Sequence, residues 1–208
     1  MKKNMIVLGI ALCTLAIVAL PLSAQDTKPT KPKPEHFSAL AYLPSGVGPR
    51  MVGAGATMNV DIVIQRYSTD AEAQELTKIL LSSGSDAVLK ALQKKKSIGK
   101  VSLVGQVGFF DLKLIRSRPV EGGRVIIAVS DRPIGFLEAY YSGRSMDYTF
   151  GILQLQLKTK EEDKGEKQRE EGEGTLIYAA KVKVIDKTKI EIENYGISPV
   201  ELRGVRRL

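Results

Sequence analysis

The chain has 208 residues, a formal net charge of +8, one histidine, one cysteine and no tryptophan. One His and one Cys cannot supply the three or four nitrogen or sulfur ligands of a zinc site, and a single Cys excludes an internal disulfide. The charge is modest and dispersed, with no basic helix and no RNA-binding signature, so nucleic acid is not an expected partner.

Met1, Lys2 and Lys3 open the chain. An apolar run from Met5 to Leu20 follows, then Pro21-Leu22-Ser23-Ala24-Gln25. A basic start, a short apolar run and a small-residue exit are the parts of a secretory signal peptide. The expected cut lies near Ala24, giving a signal peptide at 1–24, no transmembrane span after cleavage and a periplasmic or secreted location. Loss of Lys2 and Lys3 lowers the charge from +8 to +6. Cys13 lies inside the apolar run behind Leu12, which is not the small residue a lipidation site places before its cysteine. Residues 25–36 alternate Lys28, Lys31 and Lys33 with Pro29, Pro32 and Pro34, a composition that favours a stiff, solvated tether.

Residues 37–208 are long enough for a single β-rich domain with its own core. "GVGPRMVGAGATMNV", Gly46 to Val60, resembles a phosphate cradle only superficially. In the G-x-G-x-x-G pattern the third glycine would fall on Met51 or Met58, and the run leads into a strand rather than a helix. In "TMNVDIVIQR", Met58, Val60, Ile62 and Ile64 share one face and Asn59 and Asp61 the other. That period of two predicts a strand.

Next, "STDAEAQELTKILLSSGSDAVLKALQKKK" changes the period to that of a helix. Thr69 and Glu72 have capping-box spacing, and Leu76, Ile79 and Leu80 form a stripe. Gly84 reads as the end of a first helix, with Ser85 or Asp86 capping a second that ends at Lys94, Lys95 and Lys96. A helical pair at about 69–96 is therefore expected. "SIGK", Ser97 to Lys100, matches S-x-x-K, but it follows a helix and leads into a strand, and no K-T-G accompanies it.

"VIIAV", Val125 to Val129, is apolar on both faces and should sit centrally in a sheet. "LQLQLK", "YAAKVKVID" and "KIEIEN" alternate again, placing Leu153, Leu155 and Leu157, then Tyr178, Ala180, Val182 and Val184, then Ile190 and Ile192 on apolar faces. Residues 158–174 carry almost no apolar side chains and read as a charged, flexible loop without the regular oxygen spacing of a calcium site. The expected fold is α+β and mainly antiparallel β, a sandwich or partly closed barrel with a two-helix insertion. An open sheet with helices on one face is the alternative.

For chemistry, His36 stands at the edge of the tether, where an imidazole is poorly held for a catalytic triad. The richest mixture of aromatic and charged groups is "SDRPIGFLEAYYSGRSMDYTF". Arg132, Phe136, Tyr140, Tyr141, Arg144 and Tyr148 are its candidate ligand-binding residues: aromatic faces for a sugar or apolar group, arginines for an anion. No catalytic residue, metal or cofactor is assigned. The functional expectation is a non-catalytic exported envelope protein whose β-domain binds a small ligand or an envelope protein. The alternative is a carbohydrate-directed hydrolase drawing a carboxylate pair from Asp131, Glu138 and Asp147.

"NVDIVIQRYSTDAEAQEL", "SDRPIGFLEA", "DYTFGILQLQL" and "GEGTLIYAAKVKV", in that order, resemble an uncharacterised family of exported bacterial proteins. The resemblance covers most of the chain from about Phe37. It implies export and a shorter connection where this chain has Lys158 to Glu173, and it assigns no activity, substrate or residue role.

Overall fold

The computed structural model describes residues 33–42, 57–135, 148–160, 169–186, 189–194 and 199–208. The strands are β1 (Glu35–Tyr42), β2 (Thr57–Ile64), β3 (Gly99–Leu103), β4 (Phe110–Leu112), β5 (Leu114–Val120) and β6 (Gly123–Ser130). They continue with β7 (Phe150–Lys160), β8 (Arg169–Asp186), β9 (Lys189–Asn194) and β10 (Val200–Arg207), and the helix α1 (Asp70–Lys94) follows β2.

Every pairing is antiparallel, in the order β4-β3-β2-β1-β10-β8-β7-β6-β5, with β9 on β8. The two ends of this order are neighbours in the chain. Only Lys113 separates β4 from β5, and at that point the chain transfers from β3 to β6: Ile98 N donates to Leu112 O, and Lys113 N donates to Val129 O, both at 2.9 Å. The sheet therefore curls into a nearly closed barrel, and most of its strand edges are paired.

Alternation decides what fills it. Phe37, Ala39 and Ala41 of β1, Val60, Ile62 and Ile64 of β2, and Leu153, Leu155 and Leu157 of β7 all point inward. They meet Val101, Leu103, Ile115, Ile126, Ala128, Leu176, Leu202 and Val205 in one cluster fed by every strand but β9. Their odd-even partners, such as Asn59, Asp61 and Gln156, are exposed.

Tight packing between strands needs glycine on both sides of β7, at Gly123 of β6 and Gly172 of β8. At Gly172 a Cβ would lie 1.8 Å from Gln156 O of the adjacent strand, so no side chain fits there.

The helix packs on the barrel's outer face. Leu76 and Leu92 meet Phe150, Ile152 and Ala180, with Leu114 and Val129 beside them. The expected capping box is present: Glu72 N donates to Thr69 Oγ1 at 3.2 Å, and Thr69 N to Glu72 Oε2 at 2.8 Å. Arg66 adds a bidentate pair to Glu72 at 2.8 and 2.9 Å. The helical pair expected at about 69–96 forms one continuous element, α1, in which two helical segments meet across a kink at Gly84, where the sequence places the break. At Gly84 the backbone adopts φ 79, ψ −175, which a residue with a Cβ adopts only with strain, and the helix resumes without an intervening loop.

Part of the stretch expected as a loop at 158–174 is strand. Lys158 and Thr159 pair with Glu171 and Glu170, and β7 and β8 extend to Lys160 and Arg169. Residues 161–168 lie outside the described set, as do 1–32, where a signal peptide and most of a tether are expected, and the glycine-rich 43–56.

Candidate functional site

The two ends of the barrel differ in character. At the end where β6 begins, the inward alternation brings charge. Glu35 is in phase with Phe37, Arg124 with Ile126, Glu170 with Gly172, and Arg207 with Val205. Arg124 is the hub. Its Nε donates to Glu170 Oε1 at 2.7 Å, and its Nη2 reaches Glu170 Oε2 at 2.6 Å and Glu35 Oε2 at 2.9 Å. Its Nη1 donates to Tyr67 Oη at 2.9 Å, and the Tyr67 hydroxyl donates to Glu35 at 2.6 Å. Arg207 closes the lattice, 3.1 Å from Glu170 and 3.4 Å from Glu35.

Burial raises the Tyr67 phenol, and the hydrogen bond to Glu35 raises it further. Burial alone would lift Glu170, but hydrogen bonds from Arg124 and Arg207 hold it below the usual carboxylate range. Two carboxylates meet two guanidiniums, so the lattice is neutral and internally satisfied. That arrangement closes a barrel end and leaves no charge for a ligand.

The opposite end is built otherwise. Between β3 and β4 the turn Val104–Phe109 contains no charged residue. Val107 is fully exposed, and Val104 and Phe109 are about half exposed, at 49% and 50%. Phe109 of this turn and Phe110 at the start of β4 each carry a cation. Lys100 Nζ lies 5.4 Å from the Phe109 ring centre, and the Arg132 guanidinium 5.5 Å from that of Phe110. Arg132 Nη2 donates to Phe109 O at 2.9 Å, and among the described residues Arg132 faces no carboxylate. Val107, Phe109, Phe110 and Arg132 line a shallow cleft of about 310 Å³ with Leu103 and Gln106. Gln106 Nε2 is buried there without an acceptor among the described residues.

A second open groove, about 420 Å³, runs between Leu80–Ser85 of the helix kink and Lys181–Ile185 of β8. Leu81 and Ile185 leave its rim exposed.

Of the expected ligand-binding residues, Arg132 stands in the turn cleft. Tyr148 is held elsewhere, its hydroxyl donating to Glu193 Oε1 of β9 at 2.8 Å. Phe136, Tyr140, Tyr141 and Arg144 lie outside the described residues, as do Glu138 and Asp147. Asp131 Oδ2 is 3.9 Å from Lys113 Nζ, which Asp111 also faces at 3.8 Å. Among the described residues no group of three His, Cys, Asp or Glu side chains is placed to hold a metal ion. No helix of these residues is long and apolar enough to cross a membrane.

Sequence reasoning passed over the turn because "VGQVGFF" has neither period and no polar motif. It passed over the lattice because its members lie far apart in the chain. A signal for the lattice was present: each charged residue occupies an apolar phase at a strand end.

No family model, curated protein or solved structure matches the chain.

Proposed function

We propose that the chain is an exported, non-catalytic binding module that engages an envelope component through the barrel end carrying the β3–β4 turn. The basic start, apolar run and small-residue exit of residues 1–24, with the resemblance to exported proteins, support the location. The observation that carries the binding reading is the turn itself: Val107 fully exposed beside Phe109, over a guanidinium with no carboxylate opposite it among the described residues. Apolar side chains clustered in solvent beside polar groups mark interaction surfaces, whereas scattered ones do not. Among the described residues nothing comparable favours the hydrolase reading: Asp131 faces Lys113, and Glu138 and Asp147 lie outside them.

A photo-crosslinking residue placed at Val107 of the full chain in intact cells tests this. Its expected result is an envelope adduct that a crosslinker at Glu121, in the turn at the other end of β6, does not give. Equal labelling at both positions, or none at Val107, overturns the reading.

A further inference from the structure

The chemistry of the turn specifies its partner further. A protein groove would need a shaped apolar knob, but this turn presents apolar tips with cations set behind them. Val107 and Phe109 lead, and Lys100 and Arg132 lie against the aromatic rings with their charges at the margin. Side chains of this kind divide between two media, the apolar part in hydrocarbon and the charged head in the headgroup layer. No acidic residue lies between Gly99 and Phe110, the flanking Asp111 and Asp131 both face Lys113, and the chain without Lys2 and Lys3 carries +6, so the complementary surface is anionic.

We propose that the β3–β4 turn is a membrane-docking tip. Val107 and Phe109 enter the interfacial layer of an anionic lipid leaflet, and Lys100 and Arg132 meet lipid phosphates. This rests on the reading of this barrel end as the binding face and names its partner as a lipid surface.

The test uses the full chain with Cys13→Ser and Val107→Cys, labelled at residue 107 with an environment-sensitive fluorophore. The probe reports its own surroundings, so lipid contact by other parts of the chain does not mimic the signal. Vesicles of phosphatidylcholine with phosphatidylglycerol should shift the emission to the blue, and phosphatidylcholine alone should not. A label at Glu121→Cys should stay water-like in both. Added salt should reverse the shift by screening the headgroups. Adding Lys100→Gln and Arg132→Gln should weaken partitioning about tenfold or more, each cation near an anionic surface contributing severalfold.

An unchanged emission at residue 107 in anionic vesicles overturns the proposal, as does an equal shift at residue 121. If residue 107 crosslinks to a protein in the envelope while its fluorophore stays water-like on vesicles, the lipid assignment fails and the binding face stands. Failure of both experiments removes the binding face as well.

Discussion

Replacing Arg124 with Met should destabilise the domain more than any other single charge removal at that barrel end. The substitution keeps much of the side-chain volume and deletes bonds to Glu170, Glu35 and Tyr67 together. The side chains of Glu35 and Glu170 are only 14% and 12% exposed, so water cannot replace the guanidinium fully. Two unit charges about 4 Å apart attract by about 4 kcal/mol at an effective dielectric near 20. Arg207 remains, 40% exposed, and recovers part of this. Removing one partner of a buried pair typically costs about 3–5 kcal/mol, so about 3 kcal/mol is expected here.

In urea, with a slope of about 2 kcal/mol per molar, the midpoint should fall by about 1.5 M. The pH dependence gives a second check. Glu170 is depressed in the folded protein, so its contribution is full above the unfolded carboxylate pKa and fades as pH falls through the folded value. The gap between wild type and Arg124→Met should therefore be widest near neutrality and close in acid. Adding Glu35→Gln and Glu170→Gln to Arg124→Met should restore much of the loss by removing the stranded charges. A midpoint unchanged within about 0.2 M, equivalent to roughly 0.4 kcal/mol at that slope, would refute the lattice as the element that closes this end.

Gly172→Ala should abolish cooperative unfolding, because its Cβ would lie 1.8 Å from Gln156 O and force β7 and β8 apart; a normal melting curve would show that the two strands can separate without cost. Thr69→Ala removes the helix cap and should cost about 1 kcal/mol by thermal melting. The hydrogen bond from Arg66, then that from Thr69 N, brings the Glu72 carboxyl down to about 2. Its contribution should be intact above about pH 4.3 and lost as pH falls toward 2, with the sign that depressed carboxylates require. A Glu72 carboxyl resonance titrating near 4 would contradict the Arg66 bond.

The period of two in "TMNVDIVIQR" and "LQLQLK" determined which side chains enter the core, because alternation along a strand is a property of the backbone alone. Thr69 and Glu72 marked the helix start for the same local reason. Gly84 was legible as the break between two helical segments, but not that the segments stay end to end across a kink. Whether the chain turns away or resumes depends on how both halves pack against the barrel, with Leu76 and Leu92 meeting the same outer cluster of Phe150, Ile152 and Ala180. Glu170 sits in a stretch whose composition reads as solvated loop, yet it is held by Arg124, 46 positions away. Its fate was set by strand register, which places an inward-facing carboxylate beside an inward-facing guanidinium. Closure of the barrel through Lys113 was likewise outside local reach, since it requires one stretch of chain to leave β3 and join β6. The exposure of Val107 follows from that closure, because the interior is already filled and the turn between β3 and β4 lies beyond it.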